Sequence, residues 1–247
     1  MPARRVLVVA TSHDQMGSTG HRTGVWLEEL ATPYYALLDG GADVTLVSIK
    51  GGAIPWDPRS LPAKAGEGPG EEPEEQQEVP ASVHRFLADE GAVQTAQNSP
   101  ALGSVDPGSF DAVFLPGGHG PMWDAANDET LARIVGSMFD HGKVVAAVCH
   151  GPAGLVKAKR QDGRPIVDGR RVSSFTNTEE EAVGLIAVVP FLLEDRLKEL
   201  GGRFERGPDW QPFAVQDGNL ITGQNPQSSE IVARHVLTSL GTGSTGS

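Results

Sequence analysis

The 247-residue chain contains a single cysteine, Cys149, in the stretch VVAAVCHGPAGL (144–155), between an apolar run and a His-Gly-Pro sequence. A cysteine thiolate is an intrinsically strong nucleophile, so covalent catalysis is the first chemistry to weigh. A lone cysteine after five apolar residues is more often a buried, inert small hydrophobe. Its neighbours favour the nucleophile. Ala147 two residues before and Gly151 two after are the small residues that a sharp elbow requires around a strained central position. A helix starting at 150, with Pro152 in its first turn, would stabilise the thiolate. On a regular strand His150 would point away from Cys149, but at an elbow that alternation lapses. Acyl-type chemistry also needs amide donors for a developing oxyanion, and PGGHG (116–120) offers those of Gly117 and Gly118, with the His150 amide as another. His119, inside this glycine turn, is placed at the pocket mouth.

Positioning these groups requires a scaffold, and the apolar runs supply one. RVLVVA (5–10), DVTLVSI (43–49), DAVFLPGG (111–118), KVVAAVC (143–149) and RRVSSF (170–175) have strand character, and amphipathic segments near 33–39, 84–90, 127–140 and 150–158 alternate with them. That order predicts an α/β fold, a three-layer sandwich on a mostly parallel sheet, with strands apolar on both faces because both are covered. Ligand crevices in such sheets form at the carboxyl ends of the strands, where Cys149 falls. FAVQDGNLITG (213–223) reads as a hairpin with an Asp-Gly turn, and NPQSSEIVARHVLTSL (225–240) as a closing helix with Pro226 in its first turn. One domain over 1–240 is expected, with GTGSTGS (241–247) as a flexible tail. Residues 51–82, rich in Gly, Pro and Glu, interrupt the rhythm as a solvated excursion; the sharper alternative is a flap beside the site anchored by Trp56.

Composition narrows the partners. A formal net charge of -12, from 20 Lys and Arg against 32 Asp and Glu, disfavours nucleic acid and acidic membrane surfaces. VLVVA near the start is too short for a signal-peptide core or a membrane span. One cysteine cannot form an internal disulfide, which suits a cytoplasmic location. His13, His21, His84 and His119 stand at no zinc-ligand spacing, so no metal is expected.

Together AAVCHGPAGL, FLPGGHGPMWD, TGVWLEELATPYY and ITGQNPQSS resemble the ThiJ/PfpI superfamily, and within it the heat-shock branch described as glutathione-independent glyoxalase III, chaperone and proposed deglycase. The resemblance runs from about residue 4 to residue 240. It implies a flavodoxin-like, glutamine amidotransferase-type fold, no cofactor, a small 2-oxoaldehyde substrate such as methylglyoxal, a 2-hydroxy acid product and a homodimer. It also implies a glutamate at the cysteine sulfur. Matching Thr23-Gly24 and Pro33 points to Glu29 rather than Glu28. Because Pro33 cannot donate to the carbonyl of residue 29, the regular helix is expected to start at Pro33 with Thr32 as cap, leaving Glu29 in a preceding turn. A carboxylate beside a thiolate is a like-charge pair, so Glu29 is expected to be protonated and to donate to the thiolate. The acid partner implied for His150 is Glu180, with Glu179 and Glu181 adjacent; TNTEEE is equally a helix N-terminus with acids against the dipole. The contrasting readings are a holding chaperone or redox-responsive protein with an oxidisable Cys149, a cysteine peptidase or amidase, and a glutamine amidotransferase. The last lacks a downstream His-x-Glu.

Overall fold

The computed structural model describes residues 3–62 and 79–241. In chain order the elements are β1 (Arg5–Ala10), α1 (Leu27–Asp39), β2 (Asp43–Ser48), α2 (Ala81–Ala88), α3 (Glu90–Gln97), β3 (Ala112–Leu115), α4 (Glu129–Asp140), β4 (Val144–Val148), β5 (Arg171–Val172), α5 (Asn177–Ala182), α6 (Leu193–Glu199), β6 (Arg203–Phe204), β7 (Ala214–Asp217), β8 (Leu220–Gly223) and α7 (Ser229–Leu240). Six strands form the central sheet in the order β2-β1-β3-β4-β8-β7. All neighbours run parallel except the β7–β8 hairpin, whose turn places Gly218 at φ 62. The expected α/β sandwich is therefore observed.

Strand alternation distributes the core between two layers. Val6, Val8 and Ala10 of β1, with Ala112 and Phe114 of β3, face one cluster; it is closed by Leu30 and Leu37 of α1, Phe86 of α2 and Val236 of α7. Leu7, Val9, Val113 and Leu115 face the other, under Leu131, Val135 and Met138 of α4 and Leu197 of α6. With both faces covered, continuous rather than alternating apolarity is the pattern such strands must carry.

Three local expectations need correction. The first α-helix begins at Leu27 and contains Pro33, so Glu29 lies in its first turn rather than ahead of it. Pro33 still removes one intrahelical donor, but the apolar stripe of Leu27, Leu30, Ala31 and Leu37 packs into the core and outweighs that loss. The stretch after Cys149 is a five-residue 3-10 turn, Gly151–Leu155, and not an α-helix. The strand expected at 170–175 shrinks to β5, which pairs with β6 in a separate two-stranded sheet.

Of the 51–82 excursion, residues 63–78 lie outside the described residues, as do residues 242–247 of the tail. The described beginning is built into the fold. Val25 donates to the Pro55 carbonyl at 2.8 Å, Asp57 donates to the Val25 carbonyl at 2.9 Å, and the Leu27 amide donates to Ser60 Oγ at 3.0 Å. Trp56 packs edge-on against Phe86, at 6.1 Å between ring centres. This segment holds the entry of α1, and through it Glu29. Among the described residues no helix is long and apolar enough to cross a membrane.

Candidate active site

At the end of β4 the backbone turns sharply. Cys149 has φ 58, one of two non-glycine residues in the left-handed region among those described. The turn is pinned on both sides, by the Cys149 amide on the Gly223 carbonyl at 3.0 Å and by the Phe175 amide on the Cys149 carbonyl at 2.9 Å. Regular alternation would send residue 149 to the same layer as Val145 and Ala147, yet Cys149 lies in the layer of Val148. The strained turn reverses the thiol's direction and thereby aims it. Gly151 is required because a Cβ there would enter the Leu115 carbonyl oxygen. Gly151→Ala is expected to lower stability by about 3 kcal/mol through this overpacking, seen as a lower urea midpoint.

Glu29 is fully buried and reaches the thiol from α1. Its Oε2 accepts from the Gly117 amide at 2.9 Å, while Oε1 is buried with no partner at hydrogen-bond distance. The Gly117 amide is thus committed to Glu29, which corrects its assignment as an oxyanion donor. The Gly118 and His150 amides remain, and the Gly118 amide lies beside both Glu29 and Cys149. Both glycines have steric reasons: a Cβ at 117 would stand 2.6 Å from Glu29 Oε2 and 2.7 Å from the His150 nitrogen, and Gly118, at φ 84, abuts Gly24 and Trp26 backbone. Burial holds the Glu29 carboxyl well above the usual carboxylate range, against the lowering effect of the contacts from Cys149 and Gly117. Burial, and then the Glu29 charge, also push the Cys149 thiol up. Burial therefore favours the neutral carboxyl at Glu29 and the thiol over the thiolate at Cys149. The short turn after Cys149 does not supply enough dipole to offset burial.

His150 sits between the sulfur and an acid, with Nδ1 3.4 Å from Cys149 Sγ and Nε2 2.7 Å from Glu180 Oε2. His119 Nε2 meets the other oxygen, Glu180 Oε1, at 2.8 Å. Burial opposes ionisation of Glu180, but the charge of His150 and the bonds from both imidazoles outweigh it and hold the carboxyl far below its ordinary range. An ionised carboxylate only accepts, so both Nε2 atoms donate, and Nδ1 is the His150 nitrogen that faces the sulfur. His119 is therefore a second donor to Glu180 as well as a lining residue. The neighbours of Glu180 divide cleanly. Glu179 is buried in a capping box with Thr176 and accepts from Trp210, Gln224 and Asn225, so it ties the ITGQNPQSS motif to the site; Glu181 is exposed.

His119 is held from its ordinary 6.5 down to about 4, by burial first and then by the charge of His150, against the pull of Glu180. With the folded value below the unfolded one, acid protonates the unfolded chain first. This contribution to stability is complete above about pH 6.5 and is lost as the pH falls toward about 4. The shift corresponds to roughly 3 kcal/mol. Urea midpoints should decline across that window, and decline less for His119→Gln.

His119, His150 and Glu180 also form a group of three possible metal ligands, with atoms within 4.8 Å of one another. Chain spacing missed it because the three come from separate segments, the glycine turn, the elbow and α5. Their donors and acceptors are already matched as hydrogen bonds, which is sufficient to explain the cluster.

The cavity above Cys149 encloses about 310 Å³. Glu29, His119, Cys149 and His150 form its floor, and its walls include Trp26, Phe175, Val183, Trp210 and Arg59. Phe175 lies 4.5 Å from the His150 ring and 5.7 Å from Trp210, ring centre to ring centre. None of these walls was singled out from the sequence as site-lining. Arg59 had the clearest signal, an Asp-Pro-Arg run after Trp56, hidden in a stretch whose composition reads as surface.

The DJ-1/PfpI family model matches residues 22–239. The Candida albicans protein named Glyoxalase 3 is 29% identical over 240 residues, covering 94% of this chain and 97% of its own. The Saccharomyces cerevisiae protein named glutathione-independent glyoxalase HSP31 is 30% identical over 243 residues, covering 94% and 96%. The X-ray structure of the Francisella tularensis Rapid Encystment Protein 24 KDa superposes with a TM-score of 0.86 at 38% identity, over 96% of this chain and 99% of that one. With a buried thiol on a strained elbow, a carboxyl and an imidazole converging on it, and a family match spanning nearly the whole length, this chain belongs to the DJ-1/PfpI family.

Proposed function

We propose that the protein is a cofactor-independent, glutathione-independent glyoxalase that converts methylglyoxal and related 2-oxoaldehydes to 2-hydroxy acids. The observation that carries this reading is the convergence on one thiol of a protonated carboxyl, Glu29, and a carboxylate-held imidazole, His150. The names of the full-length relatives point the same way.

The geometry supports the following course. His150 Nδ1 takes the Cys149 proton as sulfur attacks the aldehyde carbon, and Glu180 holds the resulting imidazolium at Nε2. The Gly118 and His150 amides stabilise the oxygen that becomes negative, and Glu29 protonates it to a hemithioacetal. Glu29, now a carboxylate, removes the proton from the former aldehyde carbon. The electron pair passes through an enediol, and a proton is returned to the neighbouring carbon. Water hydrolyses the thioester and frees the thiol. The aldehyde carbon is oxidised, its neighbour is reduced, and water supplies the added oxygen, so no external oxidant is required. A cavity of this size, walled by aromatic side chains, favours small molecules over folded protein chains, which argues against general peptidase action.

The test is incubation with methylglyoxal in buffer without glutathione, with lactate measured directly. Stoichiometric lactate is the expected result, and its absence would overturn the enzymatic reading. Homodimerisation is proposed on family resemblance alone, and sedimentation equilibrium checks it.

A further inference from the structure

The cavity holds more than methylglyoxal needs. At roughly 30 Å³ per water it has room for about ten. The chemistry is confined to the floor, so the remaining volume must accommodate whatever the 2-oxoaldehyde carries beyond its two carbonyls. The outer walls are mostly apolar and aromatic, with Glu28 and Gln227 among them, and Arg59 is the sole lysine or arginine among the lining residues described.

Arg59 is held there by an uncommon device. Asp57 is completely buried, and its Oδ1 and Oδ2 accept from Arg59 Nε at 3.0 Å and Nη2 at 2.8 Å. The Arg59 amide donates to Oδ1 at 3.0 Å, and Thr23 Oγ1 donates to Oδ2 at 3.0 Å. The guanidinium also lies 5.9 Å from the Trp26 ring centre. Burying a carboxylate is costly unless it is fully bonded, and here four donors fix it so that it fixes the arginine in turn. The two-pronged pairing consumes Nε and Nη2. Nη1 has no partner among the described residues, and the side chain, which lines the pocket, is 45% exposed. The negative groups nearby compete weakly: Glu180 is bonded to two imidazoles, and burial holds the rim carboxyl of Glu28 above its ordinary range. A guanidinium already oriented, with unpaired N–H bonds and lining a largely apolar cavity, is a preorganised receptor for a planar anion.

We propose that Arg59 is an anion-recognition residue, and that the preferred substrates are 2-oxoaldehydes bearing a carboxylate remote from the dicarbonyl. The simplest such molecule is 4,5-dioxopentanoate. Its conversion adds one water, with the aldehyde carbon becoming a second carboxylate and the ketone carbon an alcohol. This inference rests on the glyoxalase reading of the Cys149 site.

Competition is between 4,5-dioxopentanoate and its amide, 4,5-dioxopentanamide, with the methyl ester as a second uncharged comparison; the acid and the amide have nearly the same shape and differ chiefly in charge at the far end. The wild type is expected to favour the acid in kcat/KM by about tenfold or more, as a charge-assisted hydrogen bond allows. In Arg59→Met the acid-to-amide ratio should drop toward one. Because that variant strands the Asp57 charge, the double variant Asp57→Asn, Arg59→Met, which removes both partners, is measured beside it. A wild-type ratio of one or less, or a ratio unmoved in a folded variant, overturns the proposal. Binding of 4-oxopentanoate, which has no aldehyde to react, is followed in parallel by quenching of tryptophan fluorescence. Its affinity should fall about tenfold in the variants. That measurement needs no turnover, so it decides the role of Arg59 even if the wild type converts no 2-oxoaldehyde.

Discussion

Cys149→Ala is expected to lower kcat/KM for methylglyoxal by at least about a thousandfold, because every covalent step of the proposed course passes through the sulfur. The elbow itself should survive. Alanine and cysteine meet the same backbone strain at φ 58, and the bonds that pin the turn are backbone bonds to Gly223 and Phe175. The lost burial of one sulfur should cost about 1 kcal/mol. Lactate release measured beside a urea titration separates the two effects. Residual turnover above a few per cent of wild type would move the chemistry away from Cys149.

Glu29→Gln has the second largest expected effect, roughly a hundredfold to ten-thousandfold on kcat, as befits a group that both gives and takes a proton. The amide is nearly isosteric, and its oxygen can still accept from the Gly117 amide, so the pocket keeps its shape. Stability should move in the opposite direction. The Glu29 carboxyl is raised by burial in the folded state, so the folded chain retains a proton that the unfolded chain releases above the ordinary carboxylate value of 4.5. Folding is therefore penalised increasingly as the pH climbs from 4.5 toward the raised folded value, and glutamine, which does not titrate, escapes that penalty. The variant should show equal or higher urea midpoints at pH 7 to 8 with greatly reduced turnover. A glutamate present only for structure would lose stability on substitution and leave kcat close to wild type. The same titration predicts that wild-type kcat declines at high pH as Glu29 loses the proton it must donate, and that this alkaline limb is missing in Glu29→Gln.

The site conforms to a trade between stability and function. A buried carboxyl, a thiol at positive φ and a carboxylate bonded by two histidines each cost folding free energy. They are tolerated because β1, β3 and β4 beneath them, apolar on both faces, bury two continuous layers.

Much of this protein was legible without coordinates. The β-branched runs mark the strands of the parallel sheet, since a strand covered on both faces has no polar side to display. Ala147 and Gly151 mark the elbow, since at 151 even a Cβ would meet the Leu115 carbonyl, and Cys149 and His150 follow from that position. Family resemblance carried Glu29 and Glu180. Composition was a poorer guide at residues 51–62, where a Gly- and Pro-rich stretch resembles solvated surface yet braces α1 and delivers Arg59.

Residue type and spacing alone thus determined the fold class, the nucleophile and its adjacent imidazole, because those depend on local backbone geometry and on the period of apolar residues. The tertiary structure decided which of three consecutive glutamates serves His150, that Glu29 takes the Gly117 amide, that His119 shares Glu180, and that Arg59 enters the cavity. The hydrogen-bonded pairs among them lie between 30 and 88 positions apart in the chain. Which side chains meet is then set by the packing of α1, α5 and the glycine turn around the elbow, and by the protonation states that burial imposes there; neither has a signature along the chain.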